Sequence, residues 1–269
     1  MFIIDQEQCI GCGLCVRDCP AKDIVFTENK KAQVKNANCI KCGHCVAICP
    51  KNAVSCDEYP MEDISSYGQE SFKVDAVNLE NFIKFRRSVR KFLPKPVEQE
   101  QLEKILNAGR FAPTGGNRQN VSYTVIRELK EEVRVKALQV LYEISDSYIN
   151  SEEWVRQRFG RNWVKMYENY QKDQNSPDGL FFGAPIVILI SSSMPSNAGP
   201  AAGYMELMAN SLGLGVCFVN FFVRALEHSP ELRELLGVNN EVVYCMVVGH
   251  TNLKYLRTAP RKALQVTWK

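Results

Sequence analysis

Eight of the chain's eleven cysteines fall within the first 49 of its 269 residues, at the spacing of metal-cluster ligands. They form two copies of one frame, 30 residues apart: Cys9-Ile-Gly-Cys12-Gly-Leu-Cys15-Val-Arg-Asp-Cys19-Pro20 and Cys39-Ile-Lys-Cys42-Gly-His-Cys45-Val-Ala-Ile-Cys49-Pro50. Eight of the twelve aligned positions are identical, four of them cysteine, which marks an internal duplication. Three thiolates with two residues between neighbours can wrap one face of an iron–sulfur cubane. The fourth, held off by three residues and followed by proline, points away toward a second cluster. A secreted disulfide framework fits less well, because Met1 to Cys9 carries Asp5 and Glu7 without Lys or Arg and does not read as a signal peptide. Structural zinc uses paired C-x-x-C ligands but has no use for four cysteines in each half.

Residues 1 to about 56 resemble the two-cluster bacterial ferredoxins. The resemblance implies a small βαββαβ-like domain with one 4Fe–4S cluster on Cys9, Cys12, Cys15 and Cys49. It implies a second on Cys39, Cys42, Cys45 and Cys19. Gly13 and Gly43 fit loops whose amides approach cluster sulfides, or plain turns. His44, between two ligands, reads as a surface histidine in preference to one that tunes a cluster. Cys56 falls outside both quartets. Oxygen-sensitive clusters point to a reducing, anaerobic cytoplasm.

The elements that hold this frame are a fraction of the chain. Hydrophobic residues at 45% and charged residues at 23% give a globular balance, and the length suits about two domains. A net charge of +3 gives no electrostatic footprint for nucleic acid or a membrane surface. The longest apolar run, Ala184 to Ile190, is far too short to span a bilayer. Residues 57–78 lose periodicity and set six acids against the single base Lys73, an extended acidic linker. Beyond it, 79–87 and 98–111 have helical spacing, the second with Leu102, Ile105 and Leu106 on one face. Ser122 to Ile126, Pro185 to Ile190 and Val242 to Val248 read as strands, and Gly199 to Leu212 as a helix of small residues and methionine. The fold class is α+β, with residues 79–269 as the second domain.

Four stretches of that domain carry chemistry: Arg86-Arg87-Ser88-Val89-Arg90, Pro113-Thr114-Gly115-Gly116-Asn117-Arg118-Gln119, Leu212 to Asn220, and Gly249-His250 followed by Arg257 and Arg261. In this order they resemble the nitroreductase family of FMN flavoproteins, which implies a three-layer α/β/α domain. Alternation puts Arg86, Ser88 and Arg90 on one face of an extended segment, and arginine forks with a hydroxyl suit a phosphate. By resemblance, Arg86 and Ser88 belong at the FMN phosphate, completed by Arg261 and Arg257, and Arg87 is a further cofactor-binding candidate. Arg90 belongs at the N1/O2 edge of the ring, where positive charge favours the anionic reduced flavin. The resemblance brings Pro113, Thr114, Gly115, Asn117 and Gln119 to the cofactor from a partner subunit. Where the family commonly continues Gln-Pro-Trp, this chain has Gln119-Asn120-Val121. Asn220 is the candidate near the flavin N5, with a helix cap as the other reading. Phe159, Trp163, Tyr167 and Tyr170 form one helical stripe that reads as a packing face, with a lid or a seat for the ferredoxin domain as alternatives.

Together the parts imply an oxidoreductase that passes electrons from two 4Fe–4S clusters to FMN and on to a nitro compound, quinone or activated alkene. Reductive dehalogenation is a further possibility for the same flavin. The family's pairing implies a homodimer with FMN at the interface. No G-x-G-x-x-G is present, so a Rossmann NAD site is not expected, and reduced ferredoxin is favoured over NAD(P)H as donor. No acid–base constellation stands out in the second domain. The contrasting reading is an electron carrier or redox sensor with no organic substrate. Cys217 and Cys245, in apolar segments, read as core.

Overall fold

The computed structural model describes residues 1–68, 70 and 72–269. It divides into two compact units, one formed by Met1–Val74 with Thr114–Arg118 and the other by Asp75–Pro113 with Gln119–Lys269.

The first unit runs β1 (Phe2–Ile4), α1 (Leu14–Asp18), β2 (Ile24–Phe26), β3 (Ala32–Val34), α2 (His44–Ala47) and β4 (Val54–Cys56). This is the βαββαβ order, with β1 antiparallel to β4 and β2 antiparallel to β3. Its core is small: Phe2, Ile4, Ile24, Ala32, Val54 and Cys56 are buried around Cys15. So few apolar groups suit a domain held largely by metal. The duplication extends into the backbone. Positive φ recurs 30 residues apart at Gly11 and Lys41, at Gly13 and Gly43, and at Lys22 and Asn52. A Cβ on Gly11 would lie 2.5 Å from the Lys30 carbonyl oxygen, so this copy requires glycine where the other accepts lysine.

The second unit opens with α3 (Ala76–Phe85), three residues earlier than the helical spacing suggests, because the Asp75 side chain caps it by accepting from the Asn78 N–H. Next come α4 (Gln99–Arg110), β5 (Val121–Ile126), α5 (Lys130–Glu143), α6 (Ser145–Ile149) and α7 (Trp154–Lys172). The chain continues through β6 (Ile186–Ser192), α8 (Pro195–Ser211), β7 (Gly215–Phe218), α9 (Asn220–His228), α10 (Pro230–Leu235) and β8 (Val242–Gly249). The strands form one antiparallel sheet in the order β5-β6-β8-β7.

Side-chain alternation along β6 divides the core in two. Ile186, Ile188 and Ile190 pack with Leu102 and Ile105 of α4 and Ala198, Ala202 and Met205 of α8. Val187 and Leu189 pack on the opposite face with α5, Trp163 of α7 and Phe222 of α9. Helices cover both faces, giving the three-layer α/β/α arrangement and burying every residue of β6. Cys217 and Cys245 lie in this core. Among the described residues, no helix is long and apolar enough to cross a membrane.

Candidate functional site

Within the first unit the cysteines close around two cavities. One is lined by Cys9, Cys12, Cys15 and Cys49. The other is lined by Cys19, Cys39, Cys42 and Cys45. Each takes three cysteines from one copy of the frame and the fourth from the other, so these donor sets suit two thiolate-ligated clusters. Gly13 and Gly43 turn the chain into α1 and α2 through left-handed conformations. A Cβ on Gly13 would strike the Phe26 ring at 2.7 Å, whereas Gly43 has open space.

The fourth cysteines are treated alike: Cys19 Sγ accepts from the Asp23 N–H and Cys49 Sγ from the Ala53 N–H, both at 3.3 Å. Such bonds stabilise thiolate sulfur and bear on a cluster's potential. Burial pushes the Cys15 thiol up and the Cys45 thiol up to about 12, with neighbouring thiols adding to both shifts. Metal binding therefore has to displace protons from these sulfurs. His44 borders the second cavity, and its Nδ1 lies 3.1 Å from Asp18 Oδ2. Cys56 is buried in β4 and lines neither cavity.

In the second unit the Arg86–Arg90 segment leaves α3 and runs beside β7. Ser88 forms a parallel bridge with Val216, and the Val89 N–H donates to Val216 O at 2.8 Å. Gly215 makes this approach possible, because a Cβ there would sit 2.9 Å from Val89. Arg86 Nη1 donates to Glu206 Oε1 of α8 at 2.7 Å, a pair with side chains 24% and 11% exposed. Burial raises the Cys217 thiol, with Arg90 and the Ser88 hydroxyl offsetting part of the effect. Arg87 is half-buried, and Arg90 is exposed with its guanidinium 5.9 Å from the Phe182 ring centroid.

Arg90 also borders a cavity of about 640 Å³ together with Cys217 to Phe221 and residues of α6, α7 and α9. Asn220 lies on this lining as the first residue of α9; Val219 holds the cap position without a side-chain bond. The aromatic stripe of α7 is divided. Phe159 and Trp163 line the cavity, while Tyr167 stacks on Tyr142 at 4.5 Å and Tyr170 lies under Arg134 at 5.0 Å, both as packing.

Other expected residues lie elsewhere. Thr114–Arg118 groups with the first unit, where Asn117 Nδ2 donates to the carbonyls of Ile40 at 3.2 Å and Lys41 at 2.7 Å. Pro113 and Gln119 flank that loop in sequence, and Gly115 opens its single turn of 3-10 helix. Arg257 and Arg261 stand exposed on the tail after β8, without an ion pair among the described residues. Sequence reasoning missed Glu206, although it is the one charged residue in the 17 of α8, a usable signal. It also missed Arg156 and Arg224, which border the cavity and sit among many other surface arginines.

Residues 83–250 match the Nitroreductase family and residues 1–50 match the 4Fe–4S dicluster domain. An iodotyrosine deiodinase of Daphnia pulex is 26% identical over 182 residues, 61% of this chain and 56% of that protein. One of Danio rerio is 24% identical over 181 residues, 61% of this chain and 57% of that protein. The chain thus spans little more than half the length of these curated relatives. Among solved structures, a nitroreductase with bound FMN from Bacteroides fragilis superposes with a TM-score of 0.52 at 23% identity, covering 72% of this chain and 98% of that one. Iodotyrosine deiodinase bound to FMN and 3-iodo-L-tyrosine gives 0.51 at 19% identity, covering 71% and 98%. At these identities the structures establish a shared fold.

Proposed function

Because the chain belongs to the nitroreductase family and carries a 4Fe–4S dicluster domain ahead of it, we propose that it is an FMN oxidoreductase fed by two clusters. The observation that carries this reading is the combination, in one chain, of two four-cysteine cavities with a cavity edged by Arg90, Cys217 and Asn220. When bound, the clusters supply single electrons and the flavin gathers two for an organic acceptor.

The protein's own residues divide the remaining work. Cys9, Cys12, Cys15 and Cys49 hold one cluster and Cys39, Cys42, Cys45 and Cys19 the other. Arg86 and Ser88 bind the phosphate, with Arg87 a further cofactor-binding candidate and Glu206 orienting the Arg86 fork. Arg90 sets positive charge at the ring, and Asn220 presents its amide along the cavity wall. Glu153, exposed at the rim, is the one carboxylate lining the cavity among the described residues, so water is the proton source we favour. A nitro acceptor taking two electrons and two protons yields a nitroso group and water; quinones and activated alkenes take the same equivalents.

A homodimer accompanies this reading. Helix α3 buries none of its residues, leaving Val77, Leu79, Ile83 and Phe85 exposed, and the tail exposes Leu256, Leu264 and Trp268. Apolar groups left uncovered in this number suit a second copy. In such a dimer Arg257 and Arg261 are candidates to complete a phosphate site. For Asn117 to reach a partner's flavin, its amide has to release Ile40 and Lys41. Reduced ferredoxin is the donor we favour over NAD(P)H. The likeness to iodotyrosine deiodinases adds halogenated phenols to the acceptors worth testing.

Iron, sulfide and flavin analysis of protein prepared anaerobically tests the proposal. About eight irons and one FMN per chain, with flavin reoxidised by a nitroaromatic or quinone, is the expected result. Clusters without flavin after reconstitution would leave an electron carrier and overturn it.

A further inference from the structure

The 640 Å³ cavity of the second unit has a composition that its place beside the flavin-binding segment does not require. Its walls are aromatic. Tyr148 and Trp163 are buried with ring centroids 4.3 Å apart, and Phe221 stands edge-on to Trp163 at 5.5 Å and to Phe159 at 5.0 Å. Phe218 and Phe182 add two further rings. A slot walled by rings favours a planar aromatic guest through apolar burial and edge or face contacts.

Its rim is cationic. With Arg90 assigned to the flavin ring, Arg156 and Arg224 remain on the border, against the one carboxylate of Glu153 among the described residues. Arg156 lies 4.8 Å from the centroid of Tyr148 and forms no ion pair among the described residues, which leaves its N–H edge for a guest. Arg224 gives Nη1 to Glu227 at 2.6 Å, an exposed pair three residues apart on α9. Exposed pairs of this kind are weak, and the rest of the fork is uncommitted. The buried Trp163 indole N–H also has no acceptor among the described residues. Cationic side chains therefore outnumber carboxylates along the cavity lining among the described residues.

We propose that this cavity takes planar aromatic acceptors bearing a carboxylate, and that Arg156 and Arg224 select them over neutral analogues. The inference rests on the flavoenzyme reading above and narrows its substrate class. Arginine forks pair with carboxylates through two parallel bonds, whereas a neutral aromatic gains only the burial of its ring.

The test uses FMN-loaded protein under anaerobic conditions. Benzoate and benzamide are titrated against the bound-flavin spectrum, and 4-nitrobenzoate and nitrobenzene are compared as oxidants of the reduced protein. Wild type should favour the anion at least about tenfold in both measurements, and the preference should shrink as salt is raised. Arg156→Gln and Arg224→Gln should each cut the anion-to-neutral ratio several-fold, with flavin content measured alongside as a check on folding. Equal affinities in wild type, or ratios unmoved by both substitutions, would overturn the inference. Protein that holds flavin without preference sinks this inference alone, while protein that cannot hold flavin sinks the reading beneath it.

Discussion

Glu206 and Arg86 show how much a single pair can carry. The acid is nearly buried in a helix of small residues, and its partner is three-quarters covered. Removing the acid leaves a guanidinium short of a partner in a low-dielectric site. Glu206→Ala should therefore lower stability by about 1–3 kcal/mol, measured by chemical denaturation. If Glu206 orients Arg86 for phosphate, the same substitution weakens FMN retention several-fold. Arg86→Ala should weaken it further while iron content stays intact. Flavin content equal to wild type in Arg86→Ala would remove that arginine from the site. Tyr123 poses the opposite case. Its hydroxyl is buried without a partner among the described residues, and burial raises its pKa to about 12. Deprotonation is thus harder folded than unfolded, so the folded state loses stability as pH climbs from about 10 toward 12. Tyr123→Phe should remove part of that alkaline loss and stabilise at neutral pH by about 1 kcal/mol, read from paired denaturation curves.

At the level of elements, the sequence was most legible where one physical rule acts alone. Burial on both faces made β6 readable as a continuous run of branched residues, and the spacing of Leu102, Ile105 and Leu106 located α4. The cysteine frame disclosed the duplication, and the cavities show it continued in backbone torsions and N–H to sulfur bonds that no residue-type pattern displays. What escaped was tertiary. The Glu206 partner of Arg86 lies 120 residues away, and the Asn117 amide lies on carbonyls near residue 40. Arg156 and Arg224 gain significance only from the fold that puts both on one cavity. The crossed arrangement of cysteines makes its own prediction. Cys19→Ser should damage the cluster expected on Cys39, Cys42 and Cys45 and spare the other. Electron paramagnetic resonance of the reduced protein checks this, and selective loss of the Cys9, Cys12 and Cys15 cluster would refute the assignment.

On the scale of the whole molecule, charge and assembly both change once cofactors are counted. The polypeptide carries +3. Each oxidised cluster with its thiolates contributes about −2, and an FMN phosphate about −2, so the loaded chain comes to about −3. Native electrophoresis should show the loaded form migrating toward the anode and the stripped form toward the cathode. The uncovered face of α3 makes assembly testable too. Ile83→Asp places a charge on an exposed apolar helix with no fully buried residue. It should leave folding of the single chain near wild type and shift sedimentation from dimer toward monomer, with flavin lost in parallel if FMN lies at the interface. Electrons entering at the clusters should reach the flavin of the same protein. Anaerobic rapid mixing tests it most directly, with reduced ferredoxin and NAD(P)H as separate donors and cluster and flavin absorbance followed together. Ferredoxin should bleach the clusters first and the flavin after them. Clusters that bleach while the flavin stays oxidised would contradict it.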